Sequence, residues 1–196
     1  MIPLTDVTGL ASSAIAIIAV AVMLPGVARL RRIHFVLLVC AIVIVILIPF
    51  GGLPLAAYVR GVTGDLSIAS LVLLILTILR PLFGCPPSST NARLALQALI
   101  TIAALGLYPM ALGISFFDPY RLGYGNPWFV SVLLLVALAA CFRQLPAIAL
   151  IIALAVFAWS VGWYESTNLW DYLLDPLLAI YAIITLMKHR VRVPLK

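Results

Sequence analysis

The chain is predicted to be an all-α, polytopic membrane helix bundle of about seven transmembrane helices, with the N-terminus outside and the C-terminus cytoplasmic. Three observations lead there. Hydrophobic residues make up 65% of the sequence and charged residues 9%, with a mean hydropathy of +1.25; soluble chains carry about 25% charged residues. Apolar runs near the length of a span, about 20 residues each, recur along all 196 residues with short connections between them. The basic residues gather in alternate connections, as the positive-inside rule describes. Residues 1–196 are therefore expected to form a single integral membrane domain.

The opening MIPLTD carries Asp6 but no Lys or Arg, and the apolar run Val7 to Ala28 ends in RLRR. A signal peptide has its positive charge before the apolar core, so this run reads as a retained first helix with its N-terminus outside. Ser12 and Ser13, next to Ala11, Ala14 and Ala16, give it a small-residue face suited to close helix contact. The second run, Ile33 to about Phe50, is rich in Val and Ile, but its length and the preceding arginines favour a span over a strand. GGLPLAAYVRGVTGDLS then reads as an outer loop, partly re-entrant in one reading, because Gly51, Gly52, Pro54, Gly61 and Gly64 break regular structure. The third helix is expected from about Leu66 to Leu79, stopping at Arg80-Pro81.

RPLFGCPPSSTNAR is the longest internal loop and is irregular by composition. Helix four follows from Leu94 to about Phe116, with a kink at Pro109 between Gly106 and Gly113. FFDPYRLGYGNPW forms a second outer loop whose aromatics suit a membrane interface. Helix five covers about Pro127 to Phe142, the turn FRQLP reverses the chain, and helix six covers about Pro146 to Trp163. The stretch WYESTNLWDYLLDP, residues 163–176, concentrates acids and interfacial aromatics between two apolar runs. Helix seven then returns to Met187, and KHRVRVPLK is a cytoplasmic tail.

Net charge is +6 from twelve basic and six acidic residues. In a soluble protein that balance would suggest nucleic acid; here it is a topology signal, and no nucleic-acid partner is implied. Arg29, Arg31, Arg32, Arg80, Arg93, Arg143, Lys188, Arg190, Arg192 and Lys196 fall inside, and only Arg60 and Arg121 outside. All six acids, Asp6, Asp65, Asp118, Glu165, Asp171 and Asp175, fall on the outer side. Of the cysteines, Cys40 lies in an apolar run while Cys85 and Cys141 face the cytoplasm, which argues against a disulfide framework. Their spacing fits no metal pattern. The histidines, His34 and His189, sit at cytoplasmic edges, so neither a metal site nor a cofactor such as haem is implied.

The outer rim is the one constellation able to carry chemistry. Asp171 and Asp175 are four apart and share a face if the last helix starts early, with Asp175 about one turn into the membrane. A carboxylate there needs a partner, and Arg60 and Arg121 are the outer cations available. The plainer reading is that Asp175-Pro176 and Asp118-Pro119 start helices, Asp capping and Pro at the first position. The helix interiors hold little that is polar beyond Thr77, Gln97, Thr101, Ser131, Ser160 and Thr185, with no polar stripe at helical spacing, which disfavours a wide aqueous channel.

Two functions stay open. One is an integral inner-membrane protein serving as a binding or scaffold subunit of a cell-envelope complex. It would contact membrane lipid and a membrane-protein partner or a second copy of itself, with Trp163, Trp170 and Tyr172 as aromatic anchors. The other is an enzyme on a lipid-linked or phosphate-bearing substrate at the outer leaflet. There Arg60 and Arg121 would hold the phosphate, and a catalytic acid or base would come from Asp65, Glu165, Asp171 or Asp175. The scarcity of converging polar residues favours the first. Short loops fit a bacterial inner membrane.

Overall fold

Every long segment of the chain is helical, and the two compact units into which it divides differ in what holds them together. The computed structural model describes residues 4–84, 88–114 and 116–192. Cys85 and the tail end with Lys196 lie outside the described residues.

The first unit comprises Met1–Leu66, Ser70–Pro87 and Trp163–Glu165. It is built from α1 (Leu4–Val22), α2 (Arg32–Leu47), a two-stranded hairpin of β1 (Pro49–Phe50) and β2 (Leu53–Pro54), α3 (Leu55–Thr63) and most of α4 (Ile68–Phe83). Its core joins Ile18 and Val22 of α1 to Phe35 and Ile46 of α2 and Ala56 of α3. Ser12, Ser13 and Ala19 on α1 are fully buried. Small side chains let neighbouring backbones come close, and the serine hydroxyls are satisfied locally by the Gly9 carbonyl.

The second unit comprises Ser67–Ala69, Ser88–Gly162 and Ser166–Lys196. It contains α5 (Thr90–Pro109), α6 (Pro127–Phe142), α7 (Pro146–Ser160), the short α8 (Leu169–Leu173) and α9 (Pro176–Arg192). Helix α5 packs on α9, α6 on α7, and α7 on α8. A cluster of Ala140, Ile148 and Ile152, with Leu96, Leu99, Leu133 and Val136 against it, fills the space between α5, α6 and α7.

Several boundaries differ from those expected. Helix α1 ends at Val22, short of Ala28, because Pro25 and the left-handed Gly26 (φ 90°) interrupt it before a 3-10 turn at Val27–Arg29. The glycine-rich segment expected as an outer loop is ordered instead: Gly51-Gly52 turn a hairpin, and Leu55–Thr63 form α3. Helix α4 continues through Pro81 to Phe83, past the expected stop at Arg80-Pro81. Its exposed carbonyl at Leu82 accepts from Arg32 Nε at 3.0 Å and from Nη2, which supplies a C-terminal cap. Helix α5 starts four residues early, because Ser89 Oγ caps it at the Ala92 amide. The expected kink is present: α5 ends at Pro109 and runs into a π-helical turn at Met110–Ile114, with Gly113 at φ 90°.

Among the described residues one helical stretch, Thr90–Ile114 with 25 residues, is long and apolar enough to cross a membrane. Asp6–Val22, Arg32–Leu47, Ile68–Phe83, Pro127–Phe142 and Pro146–Ser160 are apolar too but shorter. A helix of about 16 residues spans about 24 Å at 1.5 Å per residue, against about 30 Å of hydrocarbon.

Candidate functional site

Each unit gathers most of its acids into one polar network, Asp175 standing apart with partners of its own. In the first, Arg60 on the last turn of α3 is the hub. Its Nε donates to Asp65 Oδ1 at 2.7 Å and its Nη2 to Asp65 Oδ2 at 3.2 Å, a two-pronged grip made possible by the tight Gly64 turn between them. Nη1 donates to Asp6 Oδ1 at 3.0 Å, and Glu165 Oε1 stands 4.0 Å from Nη2. The Asp65 hydrogen bond, followed by that of Asp6, holds the guanidinium well above its ordinary range despite the opposing effect of burial. Gly9 lies against this hub, and a Cβ at that position would collide with the Arg60 and Asp65 side chains. The segment carrying Glu165 is fastened on both sides. Thr8 Oγ1 donates to the Trp163 carbonyl at 2.8 Å, and the buried Tyr164 hydroxyl donates to the Leu66 carbonyl at 2.8 Å.

In the second unit the hub is neutral. Asn168, fully buried, accepts from the Trp170 amide at 2.9 Å, so capping α8, and donates through Nδ2 to the Tyr120 carbonyl at 2.9 Å. Asp171 on α8 accepts from the Tyr120 hydroxyl at 2.9 and 3.1 Å and from Ser166 Oγ. Trp170 Nε1 donates to the Pro119 carbonyl at 3.0 Å, and its ring lies 4.6 Å from that of Phe129. Burial, then the Asp171 carboxylate, pushes the Tyr120 phenol well above its ordinary range. Asp118 caps the 3-10 turn Pro119–Gly123 at the Tyr120 amide, 2.9 Å.

Asp175, 6% exposed, is the deepest acid. Its Oδ1 accepts from the Leu178 amide at 2.9 Å, and its Oδ2 accepts from the Ser67 amide at 3.1 Å and hydroxyl at 2.7 Å. That is an N-cap with Pro176 at the first helical position. The expected shared face of Asp171 and Asp175 does not form: Leu174 is extended (φ −147°, ψ 135°), so the two acids sit on separate helices. Asp175 takes two amides and a hydroxyl, as a helix-capping residue does, while Arg60 is gripped by Asp6 and Asp65.

The other residues singled out in the sequence fall as follows. Arg121 is exposed on the 3-10 turn, and its guanidinium makes no ion pair among the described residues. Trp163 is 42% exposed, Trp170 is half-buried, and Tyr172 is fully buried with its hydroxyl on the Ser166 carbonyl at 2.9 Å. Tyr172 is thus a core residue of its unit and not a surface anchor. Trp128 and Tyr124 are far more exposed than Trp170. Sequence reasoning missed Tyr120, Ser166, Asn168 and Ser67 as network members. Only Asn168 had a local signal, a capping residue just before a short apolar turn. No protein-family model, curated protein or solved structure matches this chain.

Proposed function

We propose that the chain is a multi-pass membrane protein, with about seven passes and its N-terminus outside, serving as a binding or scaffold subunit of a cell-envelope complex. The membrane reading is supported by the side chains turned outward on the helices. Leu37, Ile44 and Leu47 on α2, and Val132, Leu134, Leu135 and Leu138 on α6, are exposed apolar residues on helices with no polar face. In water such a surface would aggregate; in lipid it is what a helix must present. The short helices are extended by flanking apolar residues such as Ile48 and Phe50, and a bilayer thins locally around short spans. The outer-end assignment is supported within each unit: Asp6, Arg60, Asp65 and Glu165 meet in one, and Asp118, Tyr120 and Asp171 in the other.

The observation that carries the scaffold reading is the use of the polar groups. Asp6 and Asp65 neutralise Arg60, Asp118 and Asp175 cap helical turns, and Asp171 ties Ser166 to Tyr120. These are structural tasks that fix local shape within each unit, and the exposed Trp163 of the first and Trp128 and Tyr124 of the second serve as aromatic contact residues for a membrane-protein partner. The enzyme reading needs Arg60 open to a phosphate, and a guanidinium already gripped by two carboxylates is poorly suited to that.

Topology is tested with single cysteines at Thr167 and Ser88, both exposed positions, in a background lacking Cys40, Cys85 and Cys141. An impermeant thiol reagent on intact cells should label the first and spare the second; equal labelling removes the seven-span reading. For function, a deletion complemented with Arg60→Lys and Arg121→Lys should be nearly normal, while Trp163→Ala and Trp128→Ala impair it. The reverse pattern would replace the scaffold with an enzyme.

A further inference from the structure

Helix α3 has its polarity reversed relative to a helix on a water-soluble body. Its nine residues pack on α1 and α2 through the side that carries Ala56, 4% exposed, and Arg60, whose guanidinium is turned to Asp6 and Asp65. The opposite side carries Leu55, Tyr58 and Val62, whose spacing of three and then four residues sets them in one stripe. They are 39%, 42% and 88% exposed. A surface helix in water buries its apolar stripe and turns its charge to solvent; α3 turns its charge inward and its apolar stripe outward. The hairpin before it extends this surface. Gly51 and Gly52 take positive φ (60° and 92°) in its turn, which pairs Phe50 with Leu53, both apolar and 79% and 52% exposed. The Tyr58 hydroxyl donates to the Phe50 carbonyl at 2.7 Å, fastening the hairpin to α3 and satisfying a backbone acceptor that hydrocarbon could not satisfy. No charged residue occurs from Pro49 to Val59.

We infer that the hairpin and α3 form a plate embedded in the outer leaflet, with Phe50, Leu53, Leu55, Tyr58 and Val62 against lipid just below the headgroups. The membrane and the choice of leaflet rest on the multi-pass reading above. Two features select lipid over a protein partner. The plate is continuous with the exposed apolar side chains of α2, since Ile44, Leu47 and Ile48, 62%, 68% and 54% exposed, lead directly to Phe50. The 16 residues of α2 also span only about 24 Å against about 30 Å of hydrocarbon, so the chain leaves the helix while still within the apolar layer. A short helix lying along that boundary, apolar stripe toward the chains and an aromatic ring at headgroup level, is how a non-spanning segment binds a bilayer.

The test uses the full chain lacking Cys40, Cys85 and Cys141, reconstituted in vesicles of phosphatidylethanolamine and phosphatidylglycerol. One nitroxide is attached through Phe50→Cys, Val62→Cys, Ile44→Cys or Thr167→Cys, all exposed positions. Collision with oxygen, which concentrates in hydrocarbon, is compared with collision with a neutral nickel chelate, which stays in water. The oxygen-to-nickel ratio at Phe50→Cys and Val62→Cys should lie severalfold above that at Thr167→Cys, in the outer segment, and approach that at Ile44→Cys in α2. A ratio at either plate position equal to that at Thr167→Cys overturns the proposal. Protection from both reagents at either position overturns it in favour of a protein, or a second copy of this chain, seated on the plate. The label at Ile44→Cys separates the two levels. A water-like ratio there refutes the multi-pass reading, whereas a lipid-like ratio there with a water-like ratio on the plate refutes only the embedded plate.

Discussion

The two polar hubs solve the same problem, tying loops and helix ends together, with opposite chemistry. The Arg60 hub uses full charges at half-exposed side chains: Arg60 is 21% exposed, Asp65 25% and Asp6 40%. The Asn168 hub uses amides, hydroxyls and one carboxylate around a side chain with no exposure at all. Solvent and salt weaken the first, while desolvation makes every bond of the second hard to replace. Stability should therefore suffer more from breaking the neutral hub than from breaking the charged one.

The largest expected effect breaks the neutral hub. Asn168→Ala removes the α8 cap and the donor to the part-buried Tyr120 carbonyl, and empties a fully buried position, and should destabilise by about 3 kcal/mol. Chemical unfolding in detergent measures it. Gly123→Ala attacks the same site from the other side, since a Cβ there would collide with Asn168 and Trp170. It should cost about 2 kcal/mol. If both are silent, the ranking of the hubs is reversed.

Arg60→Ala should come next, at about 1.5 kcal/mol, because it leaves Asp6 and Asp65 facing each other without a cation, though still in reach of water. Raising salt should shrink the difference between parent and variant, whereas the Asn168→Ala difference should hardly move. Equal salt responses would erase the distinction drawn between the hubs.

A pH series gives a smaller, signed effect. The folded chain raises the Tyr120 phenol, so its contribution is complete below the unfolded value of about 10 and is lost as pH rises through the folded value. Stability should decline above about pH 10 and decline less in Tyr120→Phe, which has no proton to lose there. An identical alkaline slope in the two proteins would show that the phenol is not responsible.

At Asp175 both carboxylate oxygens accept, Oδ1 from the Leu178 amide and Oδ2 from the Ser67 amide and hydroxyl. Asn keeps one acceptor oxygen and sets an NH2 against the donors on the other side, so Asp175→Asn should lose about 1 kcal/mol and Asp175→Ala about 2 kcal/mol. Equal losses in the two variants would show that the retained acceptor contributes nothing.

What the sequence by itself determined is what depends on neighbours along the chain. The limits of α6, Pro127–Phe142, and the start of α7 at Pro146 follow from Pro at the first helical position. The Pro109 kink and the Asp175 and Asp118 caps are equally local, each a matter of a few adjacent residues. Helix α3 escaped because Gly61 and Pro54 read as breakers, while its stability comes from Ala56 in a core shared with α1 and α2. Only the tertiary structure decided which acid meets which donor. Asp6 and Arg60 are 54 residues apart, Tyr120 and Asp171 are 51 apart, and Ser67 and Asp175 are 108 apart. Periodicity and capping carry no information over such distances. In a chain whose helices are apolar on every side, little in the pattern says which helix ends lie together. Side-chain packing makes that choice, and with it the distant partners of Asp6, Asp171 and Asp175.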